Sequence, residues 1–139
     1  MSIEETTLKK LLHSAVQAKE NSYSPYSGFR VGAALLCADG TIYTGCNIEN
    51  AAFSPTVCAE RTAVVKAVSE GKRSFTAIAI AGDGSGYISP CGVCRQVLAE
   101  FVNPHEFAVY QMDRRGNYRK NAMEELLPFS FGNADLQGE

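Results

Sequence analysis

No stretch of this chain is apolar for long enough to cross a bilayer as a helix. The longest, Val31–Ala38 and Ala77–Ala81, fall far short of the roughly 20 residues that a helical span needs, so a membrane is not an expected partner. Positive charge is also scarce. Thirteen Lys and Arg stand against 15 Asp and Glu, for a net charge of -2, and no local Lys/Arg run compensates, which makes nucleic acid an unpromising partner. The start, Met1-Ser2-Ile3-Glu4-Glu5, carries acid where a secretory signal would carry positive charge, and a cytoplasmic location is expected. The five cysteines are an odd number, and in a reducing compartment a disulfide framework is not expected. Metal binding or thiol chemistry becomes the question.

What is present is an ordinary folded composition. Hydrophobic residues make up 45% and charged residues 20%, which excludes disordered, collagen-like and coiled-coil readings. A length of 139 residues suits a single domain spanning 1–139.

Leu8, Leu11, Leu12, Ala15 and Val16 fall on one helical stripe, predicting a helix over roughly 5–20 that the Ser/Pro/Gly cluster of 22–28 cannot continue. Phe29–Leu36 and Thr41–Cys46 flank Asp39-Gly40, the signal of an antiparallel hairpin. Helical spacing returns at Ala59, Ala63, Val64, Ala67 and Val68, with Gly71 placed to end the helix. Phe75–Ala81, apolar on both faces, is the candidate central strand. A glycine-rich loop then leads to Cys91, after which Val93, Val97, Leu98 and Phe101 are spaced as a helix. Glu106–Met112 and Tyr118–Lys120 are joined too closely for a parallel crossover and should pair antiparallel. Met123–Leu127, stopped by Pro128, reads as a short final helix followed by a tail. The order α-ββ-α-β-α-ββ-α predicts an α/β fold: a three-layer α-β-α sandwich around a mixed five-stranded sheet.

Pro90-Cys91-Gly92-Val93-Cys94 contains a C-x-x-C, ambiguous by itself between a redox pair, a zinc clasp and coincidence. Cys58 offers a third thiolate at another helix start, and three protein ligands with one open corner describe a catalytic zinc site. Helix N-termini favour thiolates, so an ion is expected between two helix beginnings. Glu60 is either a proton carrier near the open corner or a favourable decoration of the first turn. Arg61, on the Cys58 face of its helix, can donate to ligand sulfurs and offset the net -1 of three thiolates on Zn²⁺, or it is a solvated charge.

Cys58-Ala59-Glu60-Arg61-Thr62-Ala63 together with Ser89-Pro90-Cys91-Gly92-Val93-Cys94-Arg95-Gln96 resembles the signature of the zinc cytidine deaminases of the short homotetrameric type. The resemblance extends over most of Tyr23–Phe131. It implies one zinc per subunit held by Cys58, Cys91 and Cys94, with Glu60 as proton shuttle. It further implies that Asn47 and Glu49 grip the ribose, that Phe29 walls the pyrimidine, and that Phe131 reaches the site of a neighbouring subunit. The Ala59 N–H and the Ser89 carbonyl would meet the base. The activity implied is hydrolysis of cytidine and deoxycytidine to the uridine nucleosides and ammonia, in pyrimidine salvage. Neither His13 nor His105 has ligand spacing, which excludes the branch with His as first ligand. Phe53 stands where relatives often carry Tyr. Two rivals remain: a deaminase of bases within nucleic acid, disfavoured by the acidic balance, and a structural zinc or redox module, for which only Cys37 and Cys46 could supply a fourth ligand.

Overall fold

A computed structural model describes residues 3–137. Its five-stranded sheet has the order β2-β1-β3-β4-β5, with β1 Val31–Cys37, β2 Ile42–Cys46, β3 Phe75–Gly82, β4 Ala108–Met112 and β5 Tyr118–Ala122. The central strand is β3, as its two-sided apolar sequence predicts. The β1/β2 and β4/β5 pairs are antiparallel, as is β1/β3, while β3 and β4 are parallel. The parallel pair is bridged by α3 Gly92–Phe101, a helical crossover of the kind parallel strands require.

Helix α1, Glu5–Ala18, covers one face of the sheet, and α2, Ala59–Ser69, with α3 covers the other. Side-chain alternation sorts the core. Ala34, Leu36, Ala77, Ala79 and Ala81 face α1, whereas Ala33, Leu35, Ile78 and Ile80 face α2 and α3. The α1 face is rich in alanine, and the helix comes in close: a Cβ on Gly32 would lie 2.2 Å from the Ala15 carbonyl oxygen. Gly45 performs the same service on the opposite face. A Cβ there would lie 2.5 Å from both the Ala59 carbonyl oxygen and the Ala63 nitrogen, so the first turn of α2 rests directly on β2.

Boundaries differ from the expectation where side chains replace ladder partners. The α-helix stops at Ala18 and a 3-10 turn, Lys19–Asn21, completes the expected span. Phe29 and Arg30, expected inside β1, precede it: Asn47 Nδ2 donates to the Phe29 carbonyl and the Arg30 N–H donates to Asp83. Asp83 also meets Lys19 Nζ at 3.1 Å and Arg30 Nε at 3.0 Å, tying the end of β3 to the end of α1. Glu106 and Phe107 belong to a turn, with Phe107 N–H bonded to the Asn103 carbonyl, and β5 runs two residues beyond the expected Lys120. After α4, Met123–Leu126, the expected tail contains a further short helix, α5, Asn133–Leu136. Among the described residues no helix is long and apolar enough to cross a membrane.

Candidate active site

Cys58 is the N-cap of α2 and Cys91 the N-cap of α3, both in extended conformation. The two helix starts therefore converge beyond the carboxyl ends of the parallel strands, where open α/β sheets form their crevices. Cys91 Sγ accepts the Cys94 N–H at 3.4 Å, which closes the first turn of α3 around the sulfur. The Sγ atoms of Cys58, Cys91 and Cys94 all lie within 4.8 Å of one another, and those of Cys58 and Cys91 are 3.7 Å apart. A tetrahedral zinc with Zn–S bonds of about 2.3 Å requires sulfurs about 3.8 Å apart. The donor set fits the ion in number, in softness and in spacing.

Arg61 sends Nη2 to Cys58 Sγ at 3.3 Å and to the Thr56 carbonyl at 3.4 Å. Its Nε is buried without a hydrogen-bond partner among the described residues. The Cys58 thiol is lowered to about 5, chiefly by the hydrogen bond from Cys94, with Arg61 and Cys91 adding to the effect against the cost of burial. Cys94 moves the opposite way, because it gives up the shared hydrogen bond to Cys58 on ionising and is itself buried. The cluster thus has one sulfur already disposed to be a thiolate, as metal binding needs.

Glu60 is only 4% exposed. Burial pushes its carboxyl up to about 7, while a hydrogen bond from its own backbone N–H opposes the rise. Residues 58 and 60 would point apart in mid-helix, yet both line one cavity here, since the cavity lies off the helix end. The cavity holds about 180 Å³, and its wall includes Asn47, Cys58, Ala59, Glu60, Ser89 and Cys91. Among the described residues, no protein acceptor takes the Ala59 N–H and no donor reaches the Ser89 carbonyl, which leaves both to whatever fills the cavity.

The remaining expected contacts are more peripheral. Asn47 reaches the cavity wall, but its side chain is already engaged: Nδ2 donates to the Phe29 carbonyl at 2.9 Å, and Oδ1 accepts from the Val31 N–H at 2.9 Å and from the Ser22 hydroxyl. The Glu49 carboxylate accepts the N–H groups of Tyr26 and Ser27, at 2.9 and 3.1 Å, and the Ser27 hydroxyl. These bonds hold it below the usual carboxylate range, the Ser27 hydroxyl most of all. Glu49 and Phe29 lie outside the cavity wall; the Phe29 ring packs over the backbone of Gly82 and Gly84. Phe131 is 59% exposed, and its carbonyl accepts from Gln96 Nε2. Phe53, at φ 64, meets the Tyr26 ring edge-on at 6.5 Å between centroids. Cys37 is buried in the sheet, away from the three sulfurs.

Sequence reasoning missed four wall residues, Val31, Thr56, Val57 and Ile88. Thr56 and Val57 immediately precede Cys58, and adjacency to the ligand motif was the signal that could have identified them. It also missed a hydrogen-bond network behind Ser89, centred on the fully buried Gln111.

Residues 5–110 match the family described as the cytidine and deoxycytidylate deaminase zinc-binding region. The chain is 53% identical over 129 residues to a cytidine deaminase of Sporosarcina psychrophila, covering 93% of this chain and 94% of the relative. It is 48% identical to a cytidine deaminase of Halalkalibacterium halodurans, with 91% and 95% covered. Its fold superposes on the crystal structure of a cytidine deaminase from Burkholderia pseudomallei with a TM-score of 0.85 at 43% identity, covering 88% of this chain and 98% of the other.

Proposed function

The chain belongs to the zinc-binding family of cytidine and deoxycytidylate deaminases, and from that membership we propose that it acts on free cytidine and deoxycytidine through Cys58, Cys91, Cys94 and Glu60. The reaction is hydrolysis at C4 of the pyrimidine, releasing ammonia and the uridine nucleoside. The observation that carries this reading is the meeting of three cysteine sulfurs and one buried carboxyl at a single cavity.

The three cysteines hold the zinc. When bound, zinc supplies Lewis acidity that makes a water molecule a nucleophile near neutral pH. Arg61 disperses the excess negative charge of the thiolates by donating to Cys58 Sγ. Glu60 receives one proton from the attacking water and delivers it to N3 as the C–O bond forms at C4. It then takes the proton of the new C4 hydroxyl and passes it to the amino group, and the C4–N bond breaks to release ammonia. Both protons of the water are accounted for: one stays on N3 of the product and one leaves with nitrogen. The Ala59 N–H donates to the pyrimidine carbonyl, and the Ser89 carbonyl accepts from the C4 amino group.

Asn47 and Glu49 face the ribose, and their existing bonds to 22–31 keep both polar groups rigid for that contact. The aromatic neighbour assigned to the pyrimidine is Phe29, whose ring packs over Gly82 and Gly84. Phe131 completes the site of a neighbouring subunit in a homotetramer; the outward exposure of Val65, Val93, Phe129 and Phe131 supports such an assembly. The five unpaired thiols suit the reducing cytoplasm.

The test is incubation of the purified protein with cytidine, deoxycytidine, cytosine and CMP while ammonia is followed. Release from the two nucleosides is expected. Preference for the free base or the nucleotide would overturn the assignment of Asn47 and Glu49 to the sugar.

A further inference from the structure

Gln111 is the one fully buried polar side chain among the described residues whose position in an apolar strand has no packing rationale. It lies near the end of β4 and shares the strand face of Val109, the face covered by α2 and α3. Its amide is held at both ends. Oε1 accepts from Ser89 Oγ at 2.6 Å and from Arg119 Nη2 at 2.7 Å, and Nε2 donates to Asn121 Oδ1 at 2.7 Å. Asn121 in turn leans on Glu125, which is fixed by the Ala122 N–H at 2.8 Å. Arg119 is steadied by stacking over the Tyr87 ring, 5.3 Å from its centroid.

The direction of these bonds is dictated by chemistry. A guanidinium can only donate, so Arg119 must face the oxygen of the Gln111 amide and not its nitrogen. Because that oxygen can only accept, the Ser89 hydroxyl proton is committed to it. With that proton committed, the Ser89 side chain, on a residue of the cavity wall, can offer a ligand lone pairs but no hydroxyl donor. Ile88 N–H to the Met112 carbonyl and Arg95 Nε to the Pro90 carbonyl pin the segment on either side.

The geometry points to Gln111 as a specificity-determining positioning residue that acts through Ser89. By holding the Ser89 hydroxyl proton out of the cavity, it makes this wall accept from a C4 amino group and repel a C4 oxygen. The inference rests on the deaminase reading above, in which substrate and product differ at that atom. A site built around buried, committed polar groups discriminates strongly against the ligand that leaves them unpaired.

The test uses zinc-loaded wild type, Gln111→Leu, Arg119→Met, Ser89→Ala and the double variant Gln111→Leu/Ser89→Ala. It measures kcat/KM for cytidine and the inhibition constant of uridine. In Gln111→Leu the freed hydroxyl can turn and donate to a C4 oxygen, so cytidine kcat/KM is expected to fall about tenfold or more. Uridine inhibition should stay the same or tighten. Arg119→Met, at an exposed position of β5, should move the same ratio in the same direction by a smaller factor, even if the buried variant folds poorly. In the Ser89→Ala background there is no hydroxyl to release, and Gln111→Leu should leave the ratio unchanged. Parallel loss for cytidine and uridine would assign the network a purely structural role and overturn the inference, as would a ratio that moves equally in the Ser89→Ala background. Wild type without cytidine turnover would overturn the deaminase reading itself, whereas active wild type with an unmoved ratio in both network variants would overturn Gln111's role alone.

Discussion

Replacing Gly45 with alanine should damage catalysis from beneath the first turn of α2. The added methyl carbon would sit 2.5 Å from the Ala59 carbonyl oxygen and from the Ala63 nitrogen, and 2.9 Å from Thr62 Cβ. Carbon and backbone oxygen approach to about 3.3 Å at closest, so the first turn of α2 must lift by about 0.8 Å. Two of the clashing atoms are backbone and cannot rotate away. The turn that lifts carries Cys58 and Glu60, and Thr62 Oγ1 bonds it to the Cys46 carbonyl at 3.0 Å. Overpacking of this kind costs about 1–3 kcal/mol, which for a domain of this size lowers Tm by about 4–12 °C. Metal ligands tolerate only about 0.2 Å, and a misplacement near 1 Å can cost about 10²-fold in rate. Gly45→Ala should therefore lose zinc affinity and about 10²-fold in kcat/KM, read by metal content, thermal unfolding and ammonia release. Gly116→Ala is the control: at φ +92 with nothing within 4 Å, it should cost about 1 kcal/mol through backbone strain and leave turnover intact. Wild-type turnover in Gly45→Ala, or a stability loss without loss of turnover, would refute the claim that β2 seats the catalytic turn.

Glu60→Gln should retain zinc while kcat falls by about 10²–10⁴-fold, and near-normal steady-state turnover would remove Glu60 from the reaction. Cys91→Ala should lose metal and thermal stability together, because metal binding contributes to folding; stoichiometric zinc in the purified variant would contradict its place among the ligands. Asp83 is held at about 2, first by Arg30 and further by Lys19, against burial. A carboxyl lowered in the folded state contributes stability that is fully present above its ordinary value of about 3.9 and is lost as pH falls through its folded value. Asp83→Asn should thus be less stable than wild type at pH 7, with the gap narrowing below about pH 4; urea unfolding that shows a constant gap from pH 7 to pH 3 would refute this.

Local signals in the sequence carried the hairpin and the metal cluster. Asp39-Gly40 specifies a turn, and Leu36 and Ile42 pair across it. Cys58 and the Cys91/Cys94 pair each sit at a helix start that capping and periodicity can locate, so the meeting of the sulfurs needed only one tertiary assumption. Pattern alone extends β1 back to Phe29 and Arg30, but Asn47 and Asp83, distant in sequence, take their backbone groups. Glu49's engagement with Ser27 is equally non-local. Gln111 carried no signal at all: a lone amide in an apolar strand becomes meaningful only once Ser89, Arg119 and Asn121 are brought around it.

The proposed deaminase activity of this cavity requires one ion held by Cys58, Cys91 and Cys94. Removing the metal and adding zinc back while following ammonia release from cytidine tests it directly. Turnover should be absent from the stripped protein and rise in proportion to zinc up to one ion per chain. Full activity without metal, or saturation at any other stoichiometry, would contradict it.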